Sequence, residues 1–126
     1  GMDAGKIYNS WPLMGNTYFP DDNDFSNLFK LSVFSDPSLV QFIHRNLAYI
    51  IGFFYLYIFF IIYKNKVYDL YKSINIVGLF IILQIILGVF TILYGAQIYV
   101  ASMHQISSIF LVSSSVYFLY LNMRVN

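Results

Sequence analysis

The side chains best suited to chemistry in this sequence are its two histidines, His44 and His104. Each lies within a long apolar stretch, where an ionisable side chain is costly and usually has a function. Neutral imidazole binds transition metals through a ring nitrogen, so a metal site is one such function. The sequence contains no cysteine, which excludes disulfides, iron–sulfur clusters and thiolate zinc sites. For either histidine taken alone, a hydrogen-bonded packing role stays open.

Small side chains near both histidines leave room for a flat cofactor. Three helix faces carry them: Ala48, Gly52 and Tyr55 after His44; Ser107, Ser108, Leu111 and Ser115 after His104; and a third stripe of Gln84, Gly88, Thr91 and Gly95. Small residues let membrane helices approach closely or make space for a ring. Haem iron accepts histidine as an axial ligand, whereas nothing here supplies the further protein ligands that zinc prefers. We therefore predict one haem bound by His44 and His104.

Arg45, directly beside the first histidine, has two interpretations. Its long side chain can extend to the lipid headgroups and keep its charge in a polar environment. Next to a haem ligand, its guanidinium can instead pair with a haem propionate. The sequence does not separate these two roles.

The composition indicates that these residues lie in membrane helices. The chain is 59% hydrophobic and only 10% charged, whereas a soluble domain carries about 25% charged residues. Three apolar stretches, at about 38–63, 74–94 and 98–121, are long enough to cross a bilayer of about 30 Å. The sequence therefore predicts an all-α integral membrane protein with a polar loop over residues 1–37. The net charge of +1 gives no indication of nucleic-acid binding.

Residues at the ends of these stretches fit helix termini. Asp36 and Pro37 form a typical N-terminal pair, a capping residue followed by proline at the first helical position. Gly95 fits a C-terminal stop after the second stretch. The first and third helices then run parallel, and both histidines lie about 10 Å from the same end of the bundle. At equal depth, the two imidazoles can face each other across a metal.

The positions of basic residues predict an orientation. Lys64, Lys66, Lys72 and Arg124 lie at the end of the bundle opposite the polar loop. Short loops rich in Lys and Arg stay on the cytoplasmic or matrix side. We expect a multi-pass protein of a bacterial inner membrane or a mitochondrial inner membrane, with the loop on the outer side.

Four blocks of this sequence resemble the haem A synthase family, in the family's order. The opening residues 1–15 (GMDAGKIYNSWPLMG) resemble the loop after the family's fifth helix. Residues 40–45 (VQFIHR) are similar to its sixth helix, 84–91 (QIILGVFT) to its seventh and 101–105 (ASMHQ) to its eighth. Because the chain begins with Gly rather than Met, we expect it to be part of a longer protein. The resemblance implies that it is equivalent to the family's C-terminal half without the first helix of that half.

This resemblance implies an enzyme that oxidises a methyl group of haem O to a formyl group, giving haem A for cytochrome oxidase assembly. It implies three helices that form most of a four-helix haem-binding bundle, with His44 and His104 as ligands of a haem b. The implied partners are the lipid bilayer, the missing N-terminal half, haem O and an electron donor such as a ferredoxin; a homo-oligomer stays open.

One departure from the family pattern bears on catalysis. The substrate-binding half of the family has a glutamate three residues before its first histidine, and the matching residue here is Gln41. An amide cannot act as an acid or base, so the resemblance implies that this half has no catalytic residue and is inactive alone. Two alternatives stay open: a cytochrome b-type membrane anchor for electron transfer, and a membrane assembly protein without cofactor.

Overall fold

The computed structural model describes residues 3–125, and three long helices account for most of them. These are α1 (Pro37–Lys64), α2 (Tyr68–Leu93) and α3 (Ile98–Val125). All three are long and apolar enough to cross a membrane. The prediction of a helical membrane protein is confirmed. We call the end where α1 begins the loop end, and the opposite end the hairpin end.

The start of α1 follows directly from two adjacent residues. The Asp36 carboxylate accepts hydrogen bonds from the backbone N–H groups of Ser38 and Leu39, at 3.0 and 3.1 Å. Pro37 takes the first helical position, where its missing N–H costs nothing. The predicted N-terminal cap is therefore observed.

Helix α2 begins at Tyr68, whereas the sequence analysis placed its start at residue 74. Hydropathy marks only the part of a helix in hydrocarbon, and the first turns of α2 carry the polar residues Asp69, Lys72 and Ser73. Burial of Leu70 and Ile74 against Ile62 of α1 keeps these turns helical. Helix α3 also continues past residue 121, to Val125, because hydropathy marks only the part of a helix in hydrocarbon.

A tight turn connects α2 to α3, which pack against each other as an antiparallel hairpin. Gly95 follows the end of α2 with φ +62°, a left-handed conformation that glycine adopts without strain. Its N–H donates to the Ile92 carbonyl at 3.0 Å and closes the helix end. The predicted stop at Gly95 is thus confirmed.

The polar loop is folded against the helices. It contains three short 3-10 helices, Ala4–Lys6, Phe25–Phe29 and Leu31–Ser35, of which the first and third contact α1. Met14 of the loop and Leu39 of α1 are both 1% exposed, so the loop and the start of α1 each bury apolar side chains. The loop therefore covers the end of the bundle where the chain enters α1.

Candidate functional site

The structure brings His44 of α1 and His104 of α3 together. Their ring centroids are 6.3 Å apart, and the ring planes are nearly perpendicular, at 81°. His104 is half-buried, and its Nδ1 is buried without a hydrogen-bond partner among the described residues. No third His, Asp or Glu joins the pair within residues 3–125 to make a larger metal-binding group.

A cavity of about 580 Å³ lies beside the two imidazoles. Helices α1, α2 and α3 and the start of the loop all contribute to its wall, which is mainly apolar. The polar and small groups in this wall include Trp11, His44, Arg45, Gln84, Gly88 and His104. A cavity with mostly apolar walls and a few convergent polar groups is typical of cofactor sites.

Only part of each predicted small-residue face lines this cavity. Ala48, Ser108, Leu111, Gln84, Gly88 and Thr91 do so. The predicted residues Gly52, Tyr55, Ser107, Ser115 and Gly95 do not line it. Tyr55 instead packs against Gly78, and the hydroxyl groups of Ser107 and Ser115 donate to carbonyls of α3, from His104 and Leu111.

Helix α2 contacts His104 of α3 through two residues, Gly88 and Gln84. A methyl group at Gly88 would lie 3.2 Å from Cε1 of His104, so the absence of a side chain gives the imidazole its place. Gln84, one turn before Gly88 on α2, donates from its side-chain amide to the His104 carbonyl at 3.1 Å. Gln84 therefore joins α2 to α3.

Arg45 is 6% exposed, so its side chain is buried within the protein. Its two terminal nitrogens donate to backbone carbonyls of the loop, to Leu13 at 3.2 Å and to Tyr8 at 3.1 Å. Its Nε is buried and has no hydrogen-bond partner within residues 3–125. The ion pair found in residues 3–125, between Lys6 and Asp3, does not involve it. A buried guanidinium without a carboxylate at the cavity wall is costly unless further groups satisfy it.

Gln41 lies one turn before Arg45 and shares its partner. Its amide nitrogen donates to the Tyr8 carbonyl at 3.1 Å, while its Oε1 is buried and finds no partner in the part of the chain that the structure describes. Gln41 and Arg45 thus both attach the loop to α1 by donating hydrogen bonds to its backbone carbonyls. The sequence analysis did not find this docking role, although a buried arginine in an apolar helix requires acceptors nearby.

The rest of the loop is fastened by side chains. Asp22 accepts hydrogen bonds from the hydroxyl groups of Ser38, at 2.6 Å, and Tyr8, at 3.0 Å. Burial alone would raise the pKa of Asp22, but the hydrogen bonds from Ser38, Tyr8 and Asn23 outweigh it and lower that pKa. Burial and the hydrogen bond to Asp22 raise the pKa of Tyr8. Trp11 donates from Nε1 to the Tyr49 hydroxyl at 3.0 Å, which holds its ring over the cavity.

Comparison with known proteins finds relatives over nearly the whole chain. The sequence model of a family described as cytochrome oxidase assembly protein matches residues 1–116. The chain is 42% identical over 122 residues to the haem A synthase of Pelagibacter ubique, covering 97% of this chain and 36% of that protein. For the haem A synthase of Flavobacterium johnsoniae, the identity is 38% over 127 residues, covering 95% and 36%.

A third relative, the haem A synthase of Rickettsia felis, is 36% identical over 113 residues, covering 90% of this chain and 33% of that protein. The chain therefore spans about a third of the length of the curated relatives it matches. No solved structure matches it. These matches do not favour the cytochrome b-type anchor or the assembly protein without cofactor that the sequence analysis left open.

Proposed function

The chain belongs to the cytochrome oxidase assembly protein family, and from this premise we propose that it is the C-terminal, haem-binding part of a haem A synthase. The complete enzyme would oxidise a methyl group of haem O to a formyl group, and this stretch would bind a haem b. A haem b held here supplies electron transfer when bound.

The separation of the two imidazoles carries this proposal. A ring nitrogen binds a first-row transition metal at about 2 Å, and the centre of an imidazole lies about 1 Å behind that nitrogen. Two imidazoles on opposite sides of one iron therefore have centroids about 6 Å apart, and the observed value is 6.3 Å. Direct packing of two aromatic rings also occurs at such distances, so the cavity beside the pair is the second support.

The unsatisfied polar atoms at this cavity fit the same cofactor. A buried polar atom without a partner costs about 1–3 kcal/mol, and both His104 Nδ1 and Arg45 Nε are in that state. We propose that His44 and His104 would hold the haem iron through their imidazoles. Arg45 would have two roles, binding the loop carbonyls and giving positive charge near the carboxylates of the porphyrin.

The residues of this stretch would position the cofactor and perform no acid–base step. Gln41 is an amide that already donates to the loop, so it can neither take up nor release a proton. We therefore assign the oxidation of haem O to the rest of the complete protein, and expect residues 1–126 alone to produce no haem A. The loop end would face the outer side, and the electron donor, such as a ferredoxin, would act on the complete enzyme.

Absorbance and electron paramagnetic resonance spectra of the full-length protein test the ligand assignment. We expect His44→Ala and His104→Ala each to abolish the low-spin signal of the haem bound by this part, because each removes one of two axial ligands. Ser108→Ala is the matched control, since Ser108 also lines the cavity but its hydroxyl donates to Gln105 within α3. An unchanged low-spin signal in His104→Ala would contradict the proposal.

Arg45→Gln separates haem binding from ligation in the same measurement. We expect lower haem content with the low-spin signature of the remaining haem preserved, because both axial ligands stay in place. Loss of the low-spin signal itself in this variant would show that the spectrum reports loop docking rather than the histidine pair.

A further inference from the structure

The loop carries a row of exposed apolar side chains close to the start of α1. Phe25, Phe29, Leu31 and Phe34, which we call the apolar ridge, are 64%, 83%, 94% and 68% exposed. Val33, in the same segment, is 5% exposed. The segment therefore has an inner side against the protein and an outer side that is strongly apolar. In a water-soluble loop such a concentration of exposed apolar groups is rare and marks a binding surface.

The ridge is continuous with the membrane-spanning surface. A row of aromatic rings connects it to α1. The ring centroids of Phe42 and Phe19 are 5.0 Å apart, and those of Phe19 and Phe25 are 5.7 Å apart. The centroids of Phe25 and Phe29 are 6.1 Å apart. Phe42 is five residues into α1, about 8 Å along the helix axis. The ridge is thus joined by a row of neighbouring rings to the first turns of α1, the helix that is long and apolar enough to cross the bilayer.

The polar groups beside the ridge fit a position at the boundary between acyl chains and headgroups. Lys30 lies between Phe29 and Leu31, and its ammonium group donates to the Asn27 side chain at 2.8 Å. Asn27 in turn donates to Asn23, which donates to Asp36 at the start of α1. A row of apolar side chains beside a lysine and a polar network is typical of a segment at the boundary between acyl chains and headgroups.

We propose that the apolar ridge inserts into the lipid headgroup region at the loop end and anchors the loop to the bilayer. The loop would then be attached in two ways: the ridge would lie in the lipid, and Gln41 and Arg45 of α1 donate hydrogen bonds to its backbone carbonyls. This anchor would also hold Trp11 in place at the cavity, because Trp11 belongs to the same loop and lines that cavity. The proposal does not depend on the identity of the cofactor.

Limited trypsin digestion tests the anchor in the full-length protein. The protein is placed in nanodiscs of phosphatidylcholine and phosphatidylglycerol, where both faces are accessible. Lys30 lies within the ridge, and Lys6, whose side chain is 55% exposed, lies in the same loop away from it. We expect Phe29→Ser with Leu31→Ser to speed cleavage at Lys30 by roughly tenfold or more, with cleavage at Lys6 unchanged. Equal cleavage rates at Lys30 before and after the substitutions would overturn the proposal.

A spin-label measurement identifies what covers the ridge. Residues 1–126 contain no cysteine, so a single nitroxide is placed at residue 29 or 31, after replacing any cysteine elsewhere in the protein. Asn16 and Lys6, both exposed in the loop and outside the segment that carries the ridge, are the controls. In lipid, the ridge labels should collide more with oxygen and less with a water-soluble nickel complex than the controls do. Labels shielded from both reagents would show a protein partner instead, and labels as water-accessible as Asn16 would show a free loop; either result would refute the anchor.

Discussion

The two ends of the three-helix bundle are built in opposite ways. At the hairpin end, rings fill the space between α1 and α2: Phe59 stacks on Tyr63 at 4.4 Å, and Tyr63 on Tyr71 at 4.1 Å. Behind these rings, Ile62, Leu70 and Ile74 form a buried cluster. At the loop end, the space between α1, α2 and α3 is the cavity beside the two histidines.

A glycine of α2 marks each end and shows how the difference arises. Gly78, towards the hairpin end, makes room for the Tyr55 ring of α1, and the phenol of Tyr55 donates to the Ile74 carbonyl at 3.4 Å. Gly88, at the loop end, makes room for His104 of α3. One glycine lets a large side chain close the bundle, whereas the other leaves space in front of a histidine. The hairpin end thus supplies stability, and the loop end keeps a cavity that packing alone would fill.

The largest effect should follow from filling the cavity with Gly88→Leu. The new side chain would extend from α2 towards His104, and overpacking of this kind costs about 1–3 kcal/mol. We expect haem affinity in the full-length protein to fall about ten- to hundredfold, measured by haem titration. The matched control is Gly52→Leu on α1, because a Cβ added there meets no atom of the described residues within 4 Å. Equal haem affinities in the two variants would show that Gly88 does not shape the site.

A smaller effect, confined to stability, should follow from Gly78→Ala at the hairpin end. The added methyl group would collide with the Tyr55 ring, at a cost of about 1–3 kcal/mol. We expect a lower thermal midpoint by circular dichroism in detergent, with the haem spectrum unchanged. Gly52→Ala should raise the midpoint slightly, because alanine favours helix over glycine and has free space there.

A double-mutant cycle sharpens this prediction. If the collision with Tyr55 is the cause, the destabilisation by Gly78→Ala should largely disappear in a Tyr55→Ala background. A penalty of the same size in both backgrounds would place the cause within α2 itself. A changed haem spectrum in Gly78→Ala would contradict the separation of the two ends.

The sequence predicted the helices better than it predicted the site's surroundings. Length, hydropathy and the Asp36–Pro37 and Gly95 signals are local, so they gave three helices, with errors where polar turns continue α2 and α3 beyond the hydrocarbon. The pairing of His44 with His104 followed from counting residues from helix ends. The partners of Arg45 did not, because they are backbone carbonyls of a folded loop whose approach depends on tertiary packing.

The smallest effect we expect is a weaker attachment of the loop in acid. The pKa of Asp22 lies below its ordinary value of 3.8, because hydrogen bonds from Ser38, Tyr8 and Asn23 outweigh the effect of burial. The carboxylate therefore stabilises the docked loop above that pH, and this contribution is lost as pH falls through the lowered pKa. Hydrogen exchange of the loop's backbone amides, followed by mass spectrometry and corrected for intrinsic rates, should show protection falling below about pH 4. Ser38→Ala removes the 2.6 Å hydrogen bond, brings the pKa of Asp22 closer to its ordinary value and should make this loss smaller, whereas Asp22→Asn should remove the pH dependence. If Asp22→Asn keeps the same acid-induced loss as the unmodified protein, another group titrates, and the attachment of the loop does not depend on this carboxylate.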